Sequence, residues 1–245
     1  MNSATLSVNP LFAFWRKWHD VVLFKWILPR VQNAVLEGVQ LDIRALSPLM
    51  KNNILTGRYE VQERLLAHRY LTREDVVLEL GGAIGFIGLF CRKTIGVKYH
   101  FTVEANPNTI KMLRRNYALN AIEPNVIHAA AASEDGELTL NVGSEFWENS
   151  IVKSVPGGAS IEVPALSLGS LVTRMALPPT TLICDIEGAE QFLDFSQLPA
   201  TVNKIIIELH PDLIGKQRTE QILSQFSSLG FCIGAETAGT WFLDR

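Results

Sequence analysis

The sequence from Val76 to Phe86 reads Val-Val-Leu-Glu-Leu-Gly-Gly-Ala-Ile-Gly-Phe, an apolar run that ends in an acid and a glycine cluster. A helix-like apolar pattern resumes at Ile87. This order is typical of a buried parallel strand that turns sharply into a helix. Gly81 and Gly82 allow positive φ angles and leave room for a ligand against the main chain. Because the N–H groups at the start of the helix would face that ligand, the stretch predicts a site for a nucleotide-like cofactor.

The spacing of the glycines narrows the choice of cofactor. A dinucleotide fingerprint would need glycines at the positions of Ala83 and Phe86, which disfavours a nicotinamide-dependent oxidoreductase. A P-loop would need Gly-Lys-Ser/Thr, but Phe86 follows Gly85. What remains is an acid-x-Gly-x-x-x-Gly loop that runs from Glu79 to Gly85. A tight strand-to-helix turn without any cofactor is the alternative.

Composition indicates an ordinary globular protein. The chain has 245 residues, 47% hydrophobic content and a net charge of −3, which fits one α/β domain with an N-terminal extension. The chain has no excess of basic residues, so its charge does not suggest a nucleic-acid partner. The three cysteines (Cys91, Cys184 and Cys232) are widely spaced, so we expect neither a disulfide framework nor a metal site. Together with the lack of a signal-peptide pattern, this favours a cytoplasmic protein.

The N-terminal region is distinguished by a tryptophan-rich segment at residues 11–28. Its charges are too many for a membrane span, so two alternatives remain. The segment forms a helix that packs on the domain or on a second subunit, or it lies on a membrane surface as a peripheral contact. We expect a helical extension over residues 1–50 and a cofactor-binding domain over residues 51–245.

A second strand is predicted from Tyr99 to Glu104. Ligands of open parallel sheets bind at the carboxyl ends of the strands, where Glu104 can accept hydrogen bonds from a ribose diol. Asn106 then caps a helix that has Pro107 in its first turn, and Ala105 and Asn106 lie beside the expected cofactor. After the third strand, small residues around Ala131 would lie at the adenine edge.

Carboxylates also end the next two predicted strands. The run from Thr181 leads into Asp185, Glu187 and Glu190, and the run from Lys204 leads into Glu208 and His210. Asp185 and Glu187 share a face only if the strand continues past Asp185. Acids in the first turn of a helix that begins near Gly188 are the alternative interpretation.

Two connecting regions carry weaker predictions. Residues 30–72 have a helical and mixed pattern, and the family resemblance described next implies that Arg58 and Tyr59 approach the cofactor crevice from outside the sheet. Residues 143–160 are irregular and rich in turn residues, so they form either a substrate loop or an ordinary surface loop.

Four segments together resemble the FkbM-type family of S-adenosylmethionine (AdoMet)-dependent methyltransferases. They are Glu79–Gly85, Val103–Pro107, Asp185–Glu190 and Ile207–Pro211, and the Asp-x-Glu-Gly-x-Glu segment is the most family-specific. The resemblance covers roughly residues 50–235. It implies a doubly wound, mostly parallel seven-stranded sheet of the class I methyltransferase fold and AdoMet as cofactor. It also implies O-methylation of a hydroxyl on a sugar, glycoconjugate or complex natural product.

The resemblance assigns the site residues as follows. The cofactor would contact Glu79, Gly81, Gly82, Ala83, Gly85, Glu104, Ala105, Asn106, Ala131 and Asp185, and the catalytic group would comprise Asp185, Glu187, Glu208 and His210. Asp185 would orient the acceptor or act as its base, and the unperturbed pKa of histidine near 6.5 suits His210 to the role of base. A structural hydrogen bond before Pro211 is the alternative for His210.

The sequence departs from the family pattern at three positions. The Ala-Asn pair of the glycine loop is Gly82-Ala83, and a lysine often found before the strand-end aspartate is Ile183. The alternative function is therefore a catalytically weak or inactive binding module that keeps the fold and is recruited to a membrane.

Overall fold

The computed structural model describes residues 22–143 and 159–245. The strands are β1 (Asn33–Leu36), β2 (Val39–Asp42), β3 (Val76–Leu80), β4 (Tyr99–Glu104), β5 (Asn125–His128), β6 (Ala130–Ala132), β7 (Gly136–Val142), β8 (Ala159–Ser167), β9 (Thr181–Cys184), β10 (Lys204–Glu208), β11 (Cys232–Thr237) and β12 (Thr240–Asp244). The α-helices are α1 (Pro48–Leu55), α2 (Val61–Tyr70), α3 (Phe86–Phe90), α4 (Pro107–Leu119), α5 (Leu168–Thr173), α6 (Pro211–Ile214) and α7 (Lys216–Ser228). Short π- or 3₁₀-helical turns cover Leu23–Ile27, Leu28–Arg30, Cys91–Ile95, Ala189–Phe192 and Phe195–Gln197.

The central sheet has seven strands in the order β11-β12-β10-β9-β3-β4-β5. The strands from β10 to β5 are parallel, and β12 runs antiparallel to both β10 and β11. This confirms the prediction of a mostly parallel seven-stranded α/β fold. The strand order reverses between β3 and β9, and the crevice outside the carboxyl ends of strands at such a point is where open α/β sheets bind ligands.

Helices cover both faces of the sheet because its central strands are apolar on both sides. On β9, Ile183 belongs to the core cluster that packs α1, α2 and α3, whereas Leu182 and Cys184 belong to the cluster on the opposite face. All three side chains are almost fully buried. The alternation shows that the sheet is doubly wound and that its strand ends are fixed from both sides.

Residues 30–72 are helical only in part. α1 and α2 lie where helices were expected, but residues 33–42 form an antiparallel β1–β2 hairpin that was not predicted. Glu37 and Gly38 both have positive φ, which is the geometry of a two-residue hairpin turn. The buried side of the hairpin packs in the same hydrophobic cluster as Phe86 of α3. The division of the chain near residue 50 stays a prediction.

A second, three-stranded sheet in the order β6-β8-β7 flanks the central one. The sequence of residues 137–142 predicts an extra strand, which is present as β7, but its partner β8 was not predicted. The segment at residues 143–160, expected to be either a substrate loop or an ordinary surface loop, lies largely outside the described residues, which omit 144–158.

No helix in residues 22–143 or 159–245 is both long and apolar enough to cross a membrane. Most of the tryptophan-rich segment at 11–28 lies outside the described residues, which begin at Val22. Its contact with a membrane surface or a second subunit, and the cytoplasmic location, stay predictions.

Candidate functional site

The glycine loop ties the end of β3 to β4. The N–H groups of Gly81 and Gly82 both donate to the carbonyl oxygen of Val103, at 3.0 and 3.2 Å. Gly81 and Gly85 have φ of +87° and +83°, so the chain reverses there into α3 as predicted. The loop is therefore held rigidly at the strand ends.

Packing inside the protein requires glycine at positions 81 and 82. A Cβ on Gly81 would lie 1.7 Å from the backbone oxygen of Asp185, and one on Gly82 would lie 1.9 Å from Cγ2 of Thr102. The space beside each glycine is thus filled by the neighbouring strands. Contact of the cofactor with the loop stays a prediction.

Glu104 joins the glycine loop to the start of α4. Its Oε2 accepts a hydrogen bond from the N–H of Ala83 at 3.0 Å, and its Oε1 accepts one from the N–H of Asn106 at 2.8 Å. Burial raises the pKa of Glu104 to about 7, although these backbone donors act in the opposite direction. The Asn106 side chain accepts from the N–H of Asn108 at 2.9 Å, which confirms the predicted helix cap. A buried carboxyl group thus lies at the end of β4, where a ribose-binding acid was predicted.

The remaining cofactor candidates differ in their surroundings. Glu79 is buried, accepts a 2.7 Å hydrogen bond from the Thr102 hydroxyl, and has its pKa raised to about 8 by burial. Ala105 is half-buried, and its carbonyl oxygen lies 3.0 Å from Nε2 of His128. The Ala131 side chain packs in a hydrophobic cluster with Leu166. Glu79 borders the cleft described next, whereas Ala131 does not.

A cleft with an empty volume of about 290 Å³ opens beside the loop at the carboxyl ends of β3 and β9. Its walls include the buried Tyr59, which was expected to approach the cofactor crevice from outside the sheet. Arg58, expected beside it, does not line this cleft. Its lining residues are Tyr59, Glu60, Glu63, Glu79, Leu80, Gly81, Gly82, Ala83, Phe86, Ile87, Ile183 and Asp185. The cleft therefore combines the loop with four carboxyl groups.

The carboxylates after β9 and the histidine after β10 come together at this edge. Nε2 of His210 lies 3.5 Å from Oε2 of Glu187, 3.6 Å from Oδ1 of Asp185 and 3.9 Å from Oε1 of Glu208. β9 ends at Cys184, so Asp185 and Glu187 meet through a bend and not along a strand. Glu187 supplies this bend with a positive φ of 54°. The four predicted catalytic residues thus form one cluster.

The sequence interpretation did not assign Glu60 and Glu63 to the site. Glu60 precedes α2 with a φ of 47°, and Glu63 lies on the first turn of that helix, so both face the cleft. Oε1 of Glu63 accepts a hydrogen bond from the Thr240 hydroxyl at 2.8 Å. An acid pair three residues apart at a helix start was the available signal, but it is also what the helix dipole favours.

Glu190 lies in the first turn of the 3₁₀-helix Ala189–Phe192 that follows Gly188, as the alternative interpretation predicted, and its side chain is buried. Its side chain is fully buried, and its Oε1 accepts from the N–H of Ile186 at 3.1 Å and lies 3.5 Å from Nδ1 of His210. Its Oε2 has no hydrogen-bond partner. The Glu190 carboxylate therefore lies beside Nδ1 of His210, whereas the other carboxylates lie beside Nε2.

The electrostatics of the cluster are dominated by burial and by mutual repulsion of acids. Burial raises the pKa of Asp185, and the carboxylates of Glu208 and Glu60 raise it further. Burial lowers the pKa of His210, but neighbouring carboxylates, first that of Glu190, outweigh it and raise the pKa to about 8. His210 therefore departs from the unperturbed value on which its prediction as a base relied. Such a cluster favours a bound cation.

The sequence matches no protein-family model and no curated protein. Solved structures similar to the chain include the methyltransferase FkbM from Methylobacillus flagellatus KT, with 17% identity, a TM-score of 0.49, and coverage of 81% of this chain and 53% of that one. The chain thus spans about half the length of that relative. A precorrin-6y C5,15-methyltransferase from Geobacter metallireducens GS-15 shows 9% identity, a TM-score of 0.48, and coverage of 75% and 85%. TYW2 from M. jannaschii, in complex with AdoMet, shows 14% identity, a TM-score of 0.44, and coverage of 87% and 84%.

Proposed function

We propose that the protein is an AdoMet-dependent methyltransferase that methylates a hydroxyl on a sugar, glycoconjugate or complex natural product. The observation that carries this proposal is the meeting of Asp185 and His210, 3.6 Å apart, at the carboxyl ends of β9 and β10. They adjoin the cleft that is lined by the glycine loop. An acidic cleft beside a rigid loop suits a cofactor that carries a positive sulfonium.

The proposed cofactor site combines the cleft at the end of β3 with Glu104 at the end of β4, which does not line the cleft but bonds to Ala83 of its wall. Glu104 lies where its carboxylate can accept hydrogen bonds from a ribose diol while it keeps the N–H of Ala83 in place. Glu79 and Asp185 place carboxyl groups on the cleft wall. AdoMet supplies the electrophilic methyl group, so the protein itself needs only to position the two reactants and assist loss of the hydroxyl proton.

The acceptor end is formed by the cluster of Asp185, Glu187, Glu208 and His210. The side chains of Asp185 and His210 remain 24% and 17% exposed, so a substrate can reach them from solvent. Asp185 accepts a hydrogen bond from the acceptor hydroxyl and orients it. His210 is the group best placed beside that oxygen to promote loss of its proton.

We predict that Glu104→Ala weakens AdoMet binding at least about 100-fold, because two charge-assisted hydrogen bonds contribute on the order of 1.5–3 kcal/mol each. The affinity of the wild type should also rise with pH. Below about 7 the buried Glu104 is protonated and is a poorer acceptor, so its contribution is lost as the pH falls through that value. Glu79 is the neighbouring acid with which Glu104 interacts. The expected slope is at most about tenfold per pH unit.

Isothermal titration calorimetry at several pH values checks this, with Glu104→Gln as the matched variant. The glutamine keeps the shape but cannot ionise, so its affinity should lack the component of the pH dependence that belongs to Glu104. Titration of the amino group of AdoMet is common to both proteins and cancels in the comparison. An unchanged affinity in folded Glu104→Ala would remove Glu104 from the cofactor site.

The function is tested by incubating the protein with methyl-labelled AdoMet and fractionated glycans, glycolipids and small hydroxylated natural products. Label that resists mild base and maps to an ether oxygen by mass spectrometry supports O-methylation. Label on nitrogen or carbon contradicts the assignment of the acceptor. Tight AdoMet binding with no transfer to any fraction would instead favour the non-catalytic binding module.

A further inference from the structure

We propose that Asp185, Glu187 and His210 hold a divalent cation, and that this cation binds the oxygen of the acceptor hydroxyl. One ligand atom from each residue lies within 4.8 Å of the others. This deepens the proposed function and rests on it, and it departs from the sequence-based expectation of no metal site.

The distances fit a shared ion better than direct hydrogen bonds. Nε2 of His210 is 3.5 Å from Oε2 of Glu187 and 3.6 Å from Oδ1 of Asp185, both beyond the usual range of a hydrogen bond. Adjacent ligand atoms around an ion with bonds of about 2.1–2.4 Å lie roughly 3–3.5 Å apart. A small inward movement of two side chains would therefore complete three coordination bonds.

The described residues leave one buried oxygen of the proposed ligands without a hydrogen bond. Oδ1 of Asp185 is a buried oxygen without a hydrogen-bond partner, and it faces Nε2 of His210. A buried acceptor of this kind costs about 1–3 kcal/mol when it has no partner. A bound cation would satisfy this oxygen and offset the repulsion among the acids.

The far side of the imidazole supplies an independent indication. Nδ1 of His210 also lacks a good hydrogen bond, and the carboxylate of Glu190 lies 3.5 Å from it. The Glu190 side chain is fully buried, and within residues 22–143 and 159–245 its Oε2 has no hydrogen-bond partner. Its Oε1 lies against the histidine and the Ile186 N–H. Histidine ligands of metals are typically oriented by such a carboxylate on the second ring nitrogen, which directs Nε2 toward the ion.

The donor set and its exposure indicate the class of ion. Two carboxylates and one imidazole suit Mn²⁺, Fe²⁺ or Zn²⁺ better than the all-oxygen sites that Ca²⁺ prefers. The Glu187 side chain is 34% exposed, which leaves coordination positions open to solvent and to a substrate. A cation there would polarise the hydroxyl oxygen and lower its pKa.

Titration with Mn²⁺, followed by the loss of the free-ion signal in electron paramagnetic resonance, tests the proposal without any methyl acceptor. We expect one ion per wild-type chain and at least about tenfold weaker binding by Glu187→Gln and by His210→Gln. The control Glu123→Gln removes an exposed acid outside the cluster and should bind as the wild type does. Circular dichroism establishes that each variant is folded.

Three results would overturn the proposal. They are no Mn²⁺ or Zn²⁺ binding by the wild type, full binding by folded Glu187→Gln and His210→Gln, and equal weakening by Glu123→Gln. AdoMet calorimetry in the presence of EDTA separates this failure from that of the proposed function. If AdoMet binds but the metal does not, the methyltransferase proposal remains and only the proposed cation site is rejected.

Discussion

His210→Ala is expected to lower the rate of methyl transfer by roughly 100- to 10,000-fold, the usual range for loss of a group that assists proton removal. The expectation follows from the position of Nε2 among three carboxylates at the carboxyl ends of β9 and β10. AdoMet affinity should change little, because the proposed cofactor contacts lie elsewhere: the glycine loop follows β3 and Glu104 ends β4, whereas His210 follows β10. Single-turnover rates with saturating AdoMet measure the effect.

The matched control is His68→Ala, which removes an exposed imidazole on α2. It should leave both the rate and the affinity unchanged. Asp185→Asn should raise the KM for the acceptor as well as lower kcat, because its carboxylate orients the hydroxyl. Wild-type rates in His210→Ala together with an inactive Asp185→Asn would transfer the central role to Asp185. Wild-type rates in both variants would remove the cluster from the reaction.

Gly81→Ala is expected to destabilise the protein by more than about 4 kcal/mol or to prevent folding. The added Cβ would lie 1.7 Å from the backbone oxygen of Asp185, whose N–H donates a hydrogen bond to Leu80 of β3, so this backbone cannot easily move aside. The residue also has a φ of +87°, which alanine adopts at a cost of about 1–2 kcal/mol. The free energy of unfolding in urea measures the sum of the steric and the conformational effects.

Gly38→Ala isolates the conformational part of this effect. Gly38 has a similar φ of +79° in the β1–β2 turn, and nothing lies within 4 Å of its Cβ position. Its replacement should therefore cost only about 1–2 kcal/mol. Equal destabilisation by the two variants would show that the close approach of Asp185 does not determine the choice of glycine.

Local sequence patterns predicted those strands and helices whose ends are set by interactions between residues close together in the sequence. The sequence predicted a strand at Tyr99–Glu104, and the strand has those bounds in the structure. The cap at Asn106 was predictable because its side chain accepts a hydrogen bond from the N–H of Asn108, only two residues later. The β1–β2 hairpin was missed because its strands are only four residues long and lie between helical patterns.

The catalytic cluster was predictable in membership but not in geometry. Strand ends indicated Asp185 and His210, since the carboxyl ends of parallel strands meet at one edge. Glu187 reaches His210 because of its positive φ, and Glu63 reaches the cleft because of how α2 packs. A periodic sequence pattern encodes neither of these features. The role of Glu190 behind His210 follows from burial that only the folded chain provides.

The central claim is that AdoMet binds in the cleft beside the glycine loop. Isothermal titration calorimetry of the wild type with AdoMet tests it most directly, with Glu104→Ala and Glu123→Gln as paired variants. The account predicts saturable binding at one site per chain, at least about 100-fold weaker in Glu104→Ala and unchanged in Glu123→Gln. No binding of AdoMet by the folded wild type, or equal affinity in wild type and Glu104→Ala, would contradict it.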